Sequence, residues 1–269
     1  MYSYVSKKVV RKQKKTCRKA LIAANAILRE KYNLQPHLVT VGSGSKYLVT
    51  KWDDEPFDLD FNLVFYTLPH EYIVQPMLLK NTLRVVLDQV LIKRGFTHGK
   101  DSTSVLTYSH KKSLNQPQGY SLDIGILFGV GGTLNRLIHQ KDNPDRFIWN
   151  ETKINKSSLE QAKQLRKMGR WLQVRKIYLN LKNKYGKDTD LPSFIVFAEA
   201  LNLTWQSIPK DQRPLTEKRH VSGKTHTQSQ MNHHANQGNP NNVAHKATKD
   251  NRANQMNPNN PAYRGVSKM

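Results

Sequence analysis

Phe57-Asp58-Leu59-Asp60-Phe61 alternates large apolar residues with carboxylates, and the apolar character continues to Phe65. A period of two is the pattern of a β-strand, so Asp58 and Asp60 share one face while Phe57, Leu59 and Phe61 share the other. Upstream, His37 to Val41 reads as a strand that leads straight into Gly42-Ser43-Gly44-Ser45. Downstream, Tyr120-Ser121-Leu122-Asp123-Ile124-Gly125 reads as a further strand carrying one acid. If that strand lies beside the Asp58–Asp60 strand, three carboxylates converge.

Three anions at one spot repel one another and call for cations. A donor set made only of hard oxygens suits Mg²⁺ or Mn²⁺. Two such ions, roughly 3.5–4 Å apart, could activate a hydroxyl and stabilise a pyrophosphate leaving group. The Gly-Ser element supplies the complementary half. Glycine lets the backbone approach a phosphate, a helix start after it offers free N–H groups, and Ser43 or Ser45 adds a hydroxyl. It lacks the Gly-Lys-Ser/Thr ending of a P-loop and the glycine spacing of a dinucleotide fold.

Working outward, residues 6–32 read as a helix with Cys17, Leu21 and Leu28 on its apolar face and a lysine/arginine cluster in its first half. Pro76 opens a helix striped by Leu79, Leu83, Val86 and Val90, and Gly95 closes it. Residues 103–109 and 120–128 are strand candidates, and Gly129 to Gly132 breaks the pattern. One long helix is expected from Ser157 to Tyr185, with Ser158 as its cap, and a last one from Pro192 through Leu203. Beyond Pro209 the chain turns poor in large apolar residues, and Ala235–Asn242 recurs with one change as Ala253–Asn260. Such a composition predicts disorder. The expected fold class is α+β, a mixed β-sheet with flanking helices. Three regions follow: 1–150 as a core with a basic N-terminal helix, 151–209 as a small helical region, and 210–269 as a disordered Asn-rich basic tail.

The 269 residues carry 43 Lys+Arg against 20 Asp+Glu, a formal charge of +23. Residues 1–36 hold +9, residues 37–150 only +1, residues 151–190 hold +7 and the tail from 209 another +7. A near-neutral stretch with the acids is thus flanked by basic segments, a distribution that favours polyanions. A single cysteine excludes a disulfide-built scaffold. No apolar run approaches the roughly 18 residues of a spanning helix, and Ala20–Ala24 is shorter than the roughly 7–15 residues of a signal peptide. The expectation is a cytoplasmic protein with no membrane partner. Trp171 and Tyr178 read as core residues, and the histidines show no zinc or nucleophile spacing.

The order of strand, Gly-Ser, Asp-x-Asp strand and later Asp strand resembles the nucleotidyltransferase fold of the DNA polymerase β superfamily. Twelve residues separate Gly44-Ser45 from Asp58, whereas fourteen separate Gly42-Ser43, directly after the strand, from it; either pair can be the family's Gly-Ser. Further on, Arg175 to Asn180, Gly186 to Phe194 and Ala198 to Leu201 look like the helical segment of the oligoadenylate synthase and bacterial cyclic-oligonucleotide synthase branch. The resemblance covers about residues 6–205. It implies Asp58, Asp60 and Asp123 as catalytic metal ligands, with Asp123 as the third carboxylate. It implies Gly42, Ser43, Gly44 and Ser45 as triphosphate contacts, joined by Lys176 and Ser193 from the helical region. The activity implied is Mg²⁺- or Mn²⁺-dependent transfer of a nucleoside monophosphate from a nucleoside triphosphate to a hydroxyl, on another nucleotide or an RNA end. An antiviral role belongs to the same resemblance. The short helical region departs from the family's pattern and bears on whether a cyclising apparatus is complete.

The basic N-terminal helix, with Lys12, Lys14 and Lys15, suits nucleic acid as acceptor or activator. A cationic aminoglycoside acceptor is disfavoured by the same charge. The competing class is a catalytically inactive nucleic-acid-binding protein on this scaffold, against which the presence of all three carboxylates counts.

Overall fold

The computed structural model describes residues 1–112, 119–140, 143–152, 156–187 and 191–213. The chain opens with β1 (Tyr2–Tyr4) and the long helix α1 (Lys7–Tyr32), then β2 (His37–Thr40), β3 (Thr50–Trp52) and β4 (Phe57–Phe65). Helices α2 (His70–Val74) and α3 (Pro76–Leu91) follow, then β5 (Lys100–Asp101), β6 (Val105–His110), β7 (Tyr120–Val130), β8 (Thr133–Gln140) and β9 (Asn143–Glu151). The chain continues through α4 (Lys156–Lys167), α5 (Trp171–Tyr185) and α6 (Ser193–Gln206). Met1–Gln212 forms one compact unit. The expected tail lies, apart from its first residues, outside the described residues.

The main sheet runs β2-β4-β7-β6-β5, and β8 pairs with both β7 and β9. Its centre is the parallel pair β4/β7, in register from Phe57↔Tyr120 to Phe65↔Phe128; β2/β4 and β6/β7 are antiparallel. The sheet is therefore mixed and flanked by helices, as the sequence implies. Phe57, Leu59, Phe61, Leu63 and Phe65 of β4 join Leu122, Ile124 and Ile126 of β7 in a core shared with Leu21 and Leu28 of α1 and Leu83 and Leu87 of α3. Full burial of each such side chain contributes about 1.5–3 kcal/mol. That burial holds β4 in the one register that leaves Asp58 and Asp60 on the opposite face. A second cluster joins Leu165, Val174, Tyr178, Val196, Phe197 and Leu201 of α4–α6 to Leu48.

Helix ends follow local chemistry. The Ser6 hydroxyl accepts from the Val9 N–H at the start of α1, and Asn33 in the left-handed region ends it. The helix expected as one piece from Ser157 to Tyr185 is two. Gly169, at φ +70°, interrupts it, and the Arg170 N–H turns back to the Leu165 carbonyl. Ser158 accordingly sits buried inside α4 rather than capping it. Gly131 and Gly132, both at positive φ, form the two-residue tip of the β7/β8 hairpin. The strand thus runs to Val130, and the glycines reverse it. The hairpin β8/β9 and the short pair β1/β3 have no counterpart in the sequence reading. Among the described residues, no helix is long and apolar enough to cross a membrane.

Candidate active site

Strand register brings the acids together. Asp58 lies opposite Ser121 and Asp60 opposite Asp123. The Ser121 hydroxyl donates to Asp58. Thr107, opposite Asp123 on β6, donates to Asp123 Oδ1 at 2.6 Å. Burial, and then the charges of Asp123 and Asp58, push the Asp60 carboxyl up to about 6, with Lys46 and Arg136 acting weakly the other way. Burial likewise raises Asp123, which the Thr107 hydrogen bond opposes and Asp58 reinforces. These are the signs of an acidic cluster short of positive charge.

The Gly-Ser loop bends over this face. Val41 donates its N–H to the Asp60 carbonyl at 3.0 Å, anchoring the loop to β4. Gly42, at φ +60°, lies directly against the Asp60 carboxylate, and Ser43–Ser45 makes a short 3-10 turn. Gly44 is buried beside Leu59. The Ser45 hydroxyl donates to the Gly42 carbonyl at 2.9 Å, as does Lys46 Nζ at 3.1 Å. Burial and nearby Arg166 lower the Lys46 pKa, whereas Asp60 raises it.

Across from the loop stand α5 and α6. Lys182 Nζ donates to the Ser193 hydroxyl at 3.2 Å and lies 4.3 Å from the Tyr2 ring centroid. Its pKa is lowered by burial and raised by Asp58. Between the two walls is a cleft of about 490 Å³ lined by Gly42, Ser43, Lys46, Asp58, Asp60, Lys182 and Ser193 among others. Lys187 pairs with Glu55 across its mouth. Lysines, a hydroxyl and a glycine turn facing carboxylates form a site that can take a phosphate chain and hold its inner end over the acids.

Of the residues singled out in the sequence, Asp58, Asp60, Gly42, Ser43 and Ser193 line this cleft, and Asp123 adjoins Asp60 by register. Gly44 is buried behind the loop, and Ser45 bonds back to Gly42. Lys176 is exposed on α5 and does not line the cleft, whereas Lys182, further along the same helix, does. Lys12 and Lys15 are exposed on α1, whereas Lys14 reaches the Gly44 carbonyl at 3.4 Å. Sequence reasoning missed Lys46 and Lys182. Lys46 adjoins the Gly-Ser loop, a signal available in the sequence, but nothing local separates Lys182 from its neighbours.

The acidic face fits a divalent cation by its oxygen donors and its excess negative charge. Among the described residues, no three Asp, Glu, His or Cys side chains gather closely enough to cage an ion by themselves. An ion held here would complete its shell with phosphate and water oxygens, as Mg²⁺ commonly does.

This fold is the nucleotidyltransferase fold, shared with solved structures of dinucleotide cyclases. A mutant of the Vibrio cholerae dinucleotide cyclase DncV, solved with ATP and GTP, aligns with TM-score 0.52 at 8% identity, over 76% of this chain and 70% of that one. Escherichia coli DncV in its 3′-deoxy-GTP-bound form aligns with TM-score 0.51 at 10% identity, over 78% and 70%. The chain spans only 61% of the length of the STING-associated c-di-GMP synthase CdnE of Capnocytophaga granulosa, which is 16% identical over 74% of this chain with TM-score 0.49. No protein-family model and no curated protein matches the sequence.

Proposed function

We propose that the protein is a metal-dependent nucleotidyltransferase. In this reading it moves a nucleoside monophosphate from a nucleoside triphosphate to a hydroxyl acceptor and releases pyrophosphate. The observation that carries this is the register Asp60↔Asp123 beneath a cleft whose walls are Gly42-Ser43 with Lys46 and Lys182 with Ser193. The loop and the two lysines bind the β- and γ-phosphates, which sets the α-phosphorus over the carboxylates. Asp58, Asp60 and Asp123 would hold Mg²⁺ or Mn²⁺, which would supply Lewis-acid stabilisation of the attacking and leaving oxygens. The acceptor oxygen bonds to the α-phosphorus, the bond to the pyrophosphate oxygen breaks, and the acceptor proton passes toward Asp123. Thr107 fixes the rotamer of Asp123 for that task.

The acceptor in this reading is another nucleotide or an RNA end. Lys8, Arg11, Lys12, Lys15, Arg18 and Lys19 are exposed on α1, and such a stripe favours nucleic acid as acceptor or activator. A cytoplasmic setting and an antiviral role belong to the same reading. Incubation with each labelled nucleoside triphosphate and Mg²⁺ or Mn²⁺, followed by mass spectrometry of products with and without RNA, tests it. Salt-sensitive RNA binding without any turnover would favour instead a non-catalytic nucleic-acid-binding protein.

A further inference from the structure

Arg136 stands on the opposite side of the acidic face from the phosphate loop. In the sheet, Gly42–Ser45 follows β2 beside β4, the carboxylates sit on β4 and β7, and Arg136 projects from β8 beyond them. Its guanidinium lies over Gly125, where a Cβ would come within 2.7 Å of Nη1 and within 2.5 Å of Asn62 Oδ1. The bare glycine is what allows the arginine to lie on this face.

The group is poorly neutralised where it lies. Nη2 reaches Asn62 Oδ1 at 3.4 Å and Nη1 reaches the Ser104 carbonyl at 3.5 Å, both at the long limit of hydrogen bonding. Among the described residues, no carboxylate forms an ion pair with it within 4 Å, although Asp60 is near enough to favour its charge. Burial disfavours that charge. A half-buried cation with five donors and two long neutral contacts is matched to an anion that arrives from outside. Planar donors of this kind suit phosphate.

We infer that Arg136 binds the phosphate of the acceptor nearest its attacking hydroxyl, so that the two substrates are held by separate cations on the two sides of the carboxylates. The inference rests on the nucleotidyltransferase reading and adds to it a residue that distinguishes phosphorylated acceptors from neutral ones.

The test uses a 2′,3′-dideoxynucleoside triphosphate as donor, which has no accepting hydroxyl of its own. Acceptors are a nucleoside and its 5′-monophosphate. The full chain is expected to use the monophosphate with kcat/KM about tenfold or more above the nucleoside, the contribution of one charge-assisted contact. Arg136→Gln is expected to bring the two acceptors to similar kcat/KM while leaving donor KM unchanged, and Arg136→Lys to restore part of the preference. Equal use of the two acceptors by the unaltered chain would overturn the inference without any variant. An equal loss on both acceptors in Arg136→Gln would overturn it too, since that is the pattern of a structural arginine. Absence of transfer to every acceptor, RNA ends included, and of pyrophosphate release would instead remove the nucleotidyltransferase reading on which it rests.

Discussion

Gly42 packs its bare Cα against Asp60 so closely that a Cβ there would stand 1.9 Å from Oδ2. The Gly-Ser loop and the acidic face therefore meet at a point that admits no side chain. Gly44 differs, since a Cβ there would meet Leu59 Cδ2 at 3.6 Å, an ordinary contact, and its φ is not positive. Gly42→Ala is expected to lower turnover by at least about 100-fold by displacing the loop, and Gly44→Ala by only a few-fold. Pyrophosphate release, with circular dichroism to check folding, reads the contrast. Similar losses for the two variants would contradict the assignment of Gly42-Ser43 as the loop that faces the nucleotide.

Lys182, rather than Lys176, is expected to hold the triphosphate. Lys182→Met should raise the KM for nucleoside triphosphate by about tenfold to 100-fold, the range of a lost charge-assisted contact. Lys176→Met should leave it unchanged, because that side chain is exposed on α5 and does not line the cleft. Initial-rate kinetics on both variants decide between them.

The acidic face also predicts how cations and pH combine. Asp60 is raised from 3.8 to about 6 in the folded protein, so the folded state holds this proton more tightly than the unfolded chain. The stability it contributes is complete below the unfolded pKa and is lost as pH rises through the folded one. A divalent cation offsets the repulsion that remains once the carboxylates are charged. Mg²⁺ is therefore expected to raise Tm more at about pH 7.5 than at about pH 5, where Asp60 is largely protonated. Thermal melts at the two pH values, with and without Mg²⁺, measure this; an equal shift at both would argue against ion binding at Asp60.

The cations of α1 divide into two groups, exposed ones such as Lys12 and Lys15 and the half-buried Lys14. Lys12→Gln with Lys15→Gln is expected to weaken RNA binding and flatten its salt dependence by about two counterions' worth, without altering triphosphate affinity. Lys14 bonds to the Gly44 carbonyl, so Lys14→Gln is expected to raise the KM for triphosphate as well. Filter binding across salt concentrations and kinetics on the same variants separate the two effects.

What could be read from the sequence was whatever repeats locally with a fixed period. The alternation Phe57 to Phe61 and Tyr120 to Ile124 announces two strands whose carboxylates share a face, because burial of the aromatic and aliphatic partners dictates it. Their pairing was conditional in the sequence and is supplied by the fold. The hairpin β8/β9 escaped notice because Asn135, Arg136, His139, Gln140 and Asn143 dilute any apolar pattern, and Arg136 was overlooked with it. Gly169 lies within a good helical stripe, and a stripe alone does not show whether a glycine is tolerated or breaks the helix. Lys182 gains its meaning only from Ser193, eleven residues away on another helix.

The most direct measurement of the central claim is pyrophosphate release from nucleoside triphosphates with Mg²⁺ or Mn²⁺ by the unaltered chain, Asp60→Asn and Asp123→Asn, each checked for folding. Metal-dependent release by the unaltered chain, falling by at least about 100-fold in each variant, is the predicted result. Release that persists in both folded variants would contradict the account.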